Sequence, residues 1–303
     1  MNTVFTLDNQ FANKTILEKD IKAILDTKKN KHNVVLNLSG GDFLRAKDLP
    51  AIDLSGYVLR DTKFMKVAFI NENETLVAKG TDLTSADFTE AVIAGLNITN
   101  AEVDHAKFNH AVLQGSCFDG IKGVDAFFDF ANLDNSTFKE IALAFACFKS
   151  GKLNDTTFTK GNAHGSHFSK ASINHLTMIK TIADYSQWCD CKGFRAEFNE
   201  VNLSNSCFDG AHLTLSTFVD SNLAGSSFID GDLIETPFKN CDLTGVDFSG
   251  CTITSGDFTG SDMTGAKLGD AIFIKTDLTA DCFKGADFTK YKKEVVDEDM
   301  IGF

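Results

Sequence analysis

Nucleophilic, acid–base and metal chemistry all need reactive side chains that converge on one point. The chain carries seven histidines and eight cysteines. His164, His167 and His175 form the densest histidine group, while His105, His110 and His212 stand apart as expected surface residues. No CxxC pair occurs, and Cys189-Asp190-Cys191 leaves a single spacer. Scattered thiols of this kind suit a reducing cytosol. There is no phosphate-binding glycine loop, no HExxH and no nucleophile elbow. No catalytic residue, metal or cofactor is expected, and the chain is not expected to be an enzyme.

Carboxylates are the other reactive group. The formal charge of −13 argues against direct contact with nucleic acid, whose phosphates need Lys and Arg. It suits solubility or a basic partner. The charge is unevenly placed. Residues 1–196 hold 23 acids and 22 bases, net −1, residues 197–287 hold 15 acids and 4 bases, net −11, and residues 288–303 hold 4 acids and 3 bases, net −1. The candidate partner-binding acids are Asp220, Asp230, Asp232, Glu235, Asp242, Asp247, Asp257 and Asp262. Close like charges are mildly destabilising unless a cation or partner relieves them. The plain alternative is a solvated acidic surface.

A repeat must position these groups. From Leu83 to Phe288 every fifth residue is large and apolar at 38 of 42 positions, the exceptions being Gly123, Ala163, Ala183 and Gly193. No helix or flat strand has a period of five. The residue two before each centre is usually small, as at Ala86, Ala91, Ser206, Ala211 and Ser216. The residue just before is often polar, as at Asp87, Asn132, Asn202, Asp242 and Asp247. Cys117, Cys147, Cys207 and Cys282 fall in that polar slot ahead of a Phe, so they read as structural substitutions. With 28 phenylalanines and two prolines, a large apolar interior and uninterrupted backbone pairing are expected.

Ala131-Asn132-Leu133, Ser221-Asn222-Leu223 and Val246-Asp247-Phe248-Ser249-Gly250 resemble the A(D/N)LxX signature of the pentapeptide-repeat family. The resemblance implies an all-β, right-handed quadrilateral β-helix, with each five-residue unit forming one side and four units one coil. Centres four units apart should then stack in columns. One column reads Phe128, Phe148, Phe168, Trp188, Phe208, Phe228, Phe248, the opposite one Phe118, Phe138, Phe158, Met178, Phe198, Phe218, Phe238. The other two are mainly aliphatic, and near the end Leu268 and Leu278 exchange roles with Phe273 and Phe283, as constant interior packing requires. His167 falls one coil from Cys147.

Five segments are expected. Residues 1–33 form an N-terminal cap with one amphipathic helix, announced by Thr15-x-x-Glu18 and by Leu17, Ile21, Ile24 and Leu25. Residues 34–70 are first coils in a shifted register, because the step from Phe69 to Leu83 falls one residue short of three units. Residues 71–80 are a loop led by Asn71, Glu72, Asn73 and Glu74, a candidate functional site on a rigid scaffold. Residues 81–290 are the main β-helix and 291–303 a C-terminal tail or cap. A repacked coil or a recognition bulge is expected around 176–194. No apolar run is long enough to predict a membrane span. Met1 to Asn13 lacks signal-peptide character, so a cytoplasmic protein is expected.

The resemblance implies two functional classes. One is a non-enzymatic scaffold, monomer or homodimer, that binds one protein partner, as bacterial regulators do, or effectors delivered to a host cell. The other is similar to Qnr-type and MfpA-type members: an acidic DNA mimic that binds, protects or inhibits DNA gyrase or topoisomerase IV.

Overall fold

The computed structural model describes residues 52–56, 59–69, 76–278 and 281–289. The expected helix and cap within 1–33, the loop residues Asn71 to Glu74 and the tail from 291 lie outside them. The chain divides into two compact units, ending at His167 and beginning at Phe168. Each is a stack of four-sided parallel coils.

In the first unit, Asp82 pairs with Glu102, Asp87 with Lys107 and Val92 with Val112, in each case the residue four pentapeptides on. Thr137–Lys139 lies parallel to Thr157–Thr159 in the same register. In the second unit one side carries Lys192–Phe194, His212–Thr214, Asp232–Ile234, Thr252–Thr254 and Ile272–Ile274 in order. Another carries Thr177–Ile179, Glu197–Asn199, Thr217–Val219 and Phe238–Lys239. The remaining sides touch through single bridges such as Asn222–Asp242–Asp262 and Cys207–Ser227–Asp247.

A side of five residues follows from its slots. The centre points inward, and the small residue two before it clears the corner. Buried hydroxyls at that slot reach the previous coil: Thr156 Oγ1 donates to Leu133 O at 2.9 Å and Thr236 Oγ1 to Leu213 O at 2.9 Å. Thr156 and Thr236 are thereby satisfied. The residue two after a centre usually turns the corner with positive φ, as at Ser85 (56°) and Asn205 (56°). Ala86 N–H closes such a turn on Leu83 O at 2.9 Å, the hydrogen bond and φ signature of a type II turn.

The coil spacing sets the aromatic geometry. Parallel strands lie about 4.8 Å apart, and so do rings one coil apart. Phe88, Phe108, Phe128 and Phe148 stack at 4.7–4.9 Å in the first unit. In the second, Phe168 to Trp188 is 4.0 Å, Trp188 to Phe208 5.7 Å, Phe208 to Phe228 4.8 Å and Phe228 to Phe248 5.3 Å. The opposite column meets these rings edge to face, Phe218 against Phe208 at 5.8 Å and against Phe228 at 5.9 Å.

Two irregularities gain a definite register. Lys63 pairs with Asp87 and Phe69 with Ile93, each partner lying four residues beyond the place a regular coil would give it. The phase reset is therefore a coil with four extra residues, not one residue too few, and Phe64 stacks on Phe88 at 4.4 Å in the same column. Around Trp188 no residue is inserted: Ile182–Asn202, Gln187–Cys207 and Lys192–His212 all keep the regular one-coil register. The coil is repacked. A Cβ on Gly193 would meet Leu213 Cδ2 at 2.9 Å and Ile173 Cγ1 at 3.1 Å, so neighbouring coils fill the space that this centre leaves.

Candidate functional site

The outward slot before each centre explains why it prefers Asp or Asn. Its side-chain oxygen accepts the N–H two residues on, an Asx turn. Asp242 Oδ1 accepts Thr244 N–H at 3.0 Å and its hydroxyl at 2.7 Å. Asp257 does the same with Thr259 at 3.0 and 2.6 Å. Asp247 takes Ser249 N–H at 3.0 Å and Asp262 takes Thr264 N–H at 2.9 Å. These four acids are local fasteners as well as charges. Asp232 occupies the same slot on another side, with His212 Nδ1 3.9 Å away.

Asp220, Asp230 and Glu235 stand at corners with φ of 51°, 55° and 47°. Asp220 accepts Asn240 Nδ2 at 3.0 Å. Asp230 lies over Gly250, where its Oδ1 takes the space of a Cβ. The eight acids therefore do not share one face. They ring the coils, with only Asp242 and Asp262 directly aligned on one side. Glu200, Val201, Asn202, Asp220 and Asn222 line a shallow groove along one corner.

Hydrogen bonding keeps several of these groups ionised. The Thr259 hydroxyl and N–H, helped by Lys239, hold Asp257 at about 2. The Thr264 hydroxyl and N–H hold Asp262 below its ordinary value. At Asp247 burial opposes ionisation, but Ser249 and Lys267 outweigh it and the carboxyl is lowered. Lys239 reaches Asp257 at 3.0 Å and Lys267 reaches Asp247 at 3.3 Å. These are two of only four bases in 197–287, so most of the charge there is not neutralised locally.

The histidine–cysteine reading also gains geometry. Cys147 Sγ donates to Asp129 Oδ1 at 2.7 Å and lies 3.9 Å from His167 Nδ1. Burial, with the Asp129 hydrogen bond, pushes that thiol up to about 11, the wrong direction for a nucleophile. Among the described residues no group of three His, Cys, Asp or Glu side chains is placed to hold a metal ion. No described helix is long and apolar enough to cross a membrane.

Sequence reasoning missed the exposed aromatics. Phe130, Phe145 and Tyr185 are 53%, 54% and 56% exposed and occupy corners at φ of 59°, 58° and 56°. Bulky residues are disfavoured there, so a ring in the slot two after a centre is the signal that would have found them. Phe130 stacks on His110 at 4.8 Å.

Stacked four-sided coils with an A(D/N)LxX formula define a pentapeptide β-solenoid. A pentapeptide repeat region matches residues 191–268, and pentapeptide repeats match 86–122 and 257–290. Residues 86–122 and 191–290 carry the repeats of the pentapeptide-repeat family. No curated protein matches it. Similar solved structures include trypsin-treated QnrB1, a plasmid-mediated fluoroquinolone resistance protein, 21% identical over 62% of this chain and 89% of that one, TM-score 0.34. HetL, a pentapeptide repeat protein involved in heterocyst differentiation regulation in the cyanobacterium Nostoc, is 17% identical over 83% and 95%, TM-score 0.24. A pentapeptide repeat protein of the Arabidopsis thaliana thylakoid lumen is 26% identical over 29% and 65%, TM-score 0.21.

Proposed function

We propose that the chain is a non-enzymatic protein-interaction scaffold and that the acidic exterior of residues 197–287 receives one basic protein partner. The supporting observation is the net −11 of that segment, carried on outward slots and corners around the coils, with Asp257 held at about 2. A charge pattern of this kind steers a basic partner and sets its orientation. The test is capture of binding proteins on the immobilised chain at low and at high salt, with a charge-reduced variant beside it. A basic partner released by salt and lost with the variant supports the reading. A partner that binds both chains equally at all salt concentrations excludes it.

A second reading has its own observation. Acids stand on all four sides of the coils, at Asp232, Asp242, Asp247 and Asp257. A protein that encloses duplex DNA meets negative charge from several directions, and this surface offers the same. On that reading the partner is DNA gyrase or topoisomerase IV and the chain is a DNA mimic. Supercoiling assays with added protein separate the two readings.

A further inference from the structure

Cys189 and Cys207 have no part in the scaffold reading, and they face each other. Cys189 follows the centre Trp188, and Cys207 precedes the centre Phe208 on the next coil, where it pairs with Gln187. In a flat sheet such a diagonal pair stands about 7–8 Å apart at Cα, wide for a disulfide. Here the same pair of slots brings short side chains into contact. Thr99 Oγ1 lies 3.3 Å from Cys117 Sγ, and Asp209 Oδ1 accepts Ser227 Oγ at 2.5 Å. Cys189 Sγ itself lies 3.8 Å from Cys207 O. Both are half-buried and reachable, whereas Cys191 is buried.

We propose that Cys189 and Cys207 are a redox site: a dithiol that a low-molecular-weight disulfide oxidises to an intrachain disulfide stapling the Trp188 coil to the next. Cys189 sulfur, as thiolate, attacks one sulfur of the small disulfide, whose S–S bond breaks and releases one small thiol. Cys207 sulfur then attacks the Cys189 sulfur of the mixed disulfide, giving up its proton and releasing the second small thiol. The two protein thiols are oxidised by two electrons and the small disulfide is reduced to two thiols. Burial, first of all, pushes the Cys207 thiol up. The opposite order of attack gives the same disulfide.

The probe is oxidised glutathione, added to the folded full-length chain over a range of reduced-to-oxidised ratios. Remaining thiols are then alkylated, and the protein is unfolded and digested with trypsin. Cleavage after Lys180, Lys192, Arg195 and Lys239 puts Cys189 in peptide 181–192 and Cys207, as its only cysteine, in peptide 196–239. The expected product is these two peptides joined through Cys189, with two of the eight thiols lost. Cys189→Ser and Cys207→Ser should each abolish the link. Serine already stands in those columns at Ser249 and Ser227, so both variants should fold. Both thiols fully alkylated, glutathione adducts without ring closure, or a link that survives in Cys189→Ser would each overturn the proposal.

Discussion

The indole N–H of Trp188 donates to the Ser186 hydroxyl at 2.6 Å, two residues back on the same side of the coil. Ser186 Oγ in turn donates to Ala183 O at 2.5 Å and lies 3.0 Å from Ser206 Oγ. Trp188 is fully buried, so its one polar atom depends on this small slot. Ser186→Ala removes the acceptor while leaving the corner clear. It should cost about 1–3 kcal/mol, the penalty of an unsatisfied buried donor. Urea unfolding followed by Trp188 fluorescence measures it. An unchanged midpoint would mean that the indole finds another acceptor.

The aromatic columns give a larger effect. Phe228 stacks on Phe208 at 4.8 Å and meets Phe218 and Phe238 edge to face at 5.9 and 5.5 Å. Phe208→Ala and Phe228→Ala should each destabilise by about 3–5 kcal/mol, because the coil spacing is fixed by backbone hydrogen bonds and cannot close on the cavity. Thermal melts within a degree or two of wild type would contradict the stacked column.

Acid titration isolates one fastener. The folded pKa of Asp257, about 2, is lowered from 3.8. A depressed carboxylate contributes stability that is fully present above its unfolded value and is lost as pH falls through its folded value. Asp257→Asn should therefore be less stable than wild type from neutrality down to about pH 4. The difference should shrink toward zero near pH 2. Asp257 is substantially exposed, so solvent screening limits the gap to about 0.5–1 kcal/mol. Denaturant melts at pH 7, 4 and 2 read it directly, and a gap that stays constant across that range would remove the linkage.

The fold was legible because a period of five over 42 positions admits no other regular structure, and the columns one coil apart follow from it. The four extra residues before Leu83 were not legible as such. The phase slip between Phe69 and Leu83 fits one residue lost as well as four gained, and only the pairing of Phe69 with Ile93 decides between them. The acidic segment was visible as a count but not as a surface. Slot arithmetic puts Asp242 and Asp262 on one side, yet the Asx bonds that make Asp242 and Asp257 partly structural depend on backbone geometry. Cys189 and Cys207 stand almost a full coil apart in sequence, a spacing that looks like no motif until coils are stacked.

The last prediction separates structure from function in the acidic segment. Asp242 and Asp262 share one side while Asp220 and Asp230 stand at two corners, and replacing all four with Asn removes four negative charges from a segment of net −11. The Asx bond survives the change, because it needs only a side-chain oxygen. Asn222, one coil from Asp242 on the same side, already accepts Ala224 N–H at 2.9 Å. Asn also tolerates the positive φ of the corners at Asp220 and Asp230, as Asn205 and Asn240 do at 56° and 53°. The variant should melt close to wild type, while association with a basic partner should slow and weaken, with a shallower dependence on salt. If the partner is a type II topoisomerase, wild type should alter supercoiling at micromolar concentration and compete with duplex DNA, and the variant should do so far less. A partner that binds both chains alike would place recognition elsewhere, with the exposed rings of Phe130 and Phe145 as the first surface to change. A variant that unfolds would show instead that the four carboxylates hold the coils in a way that Asn cannot replace.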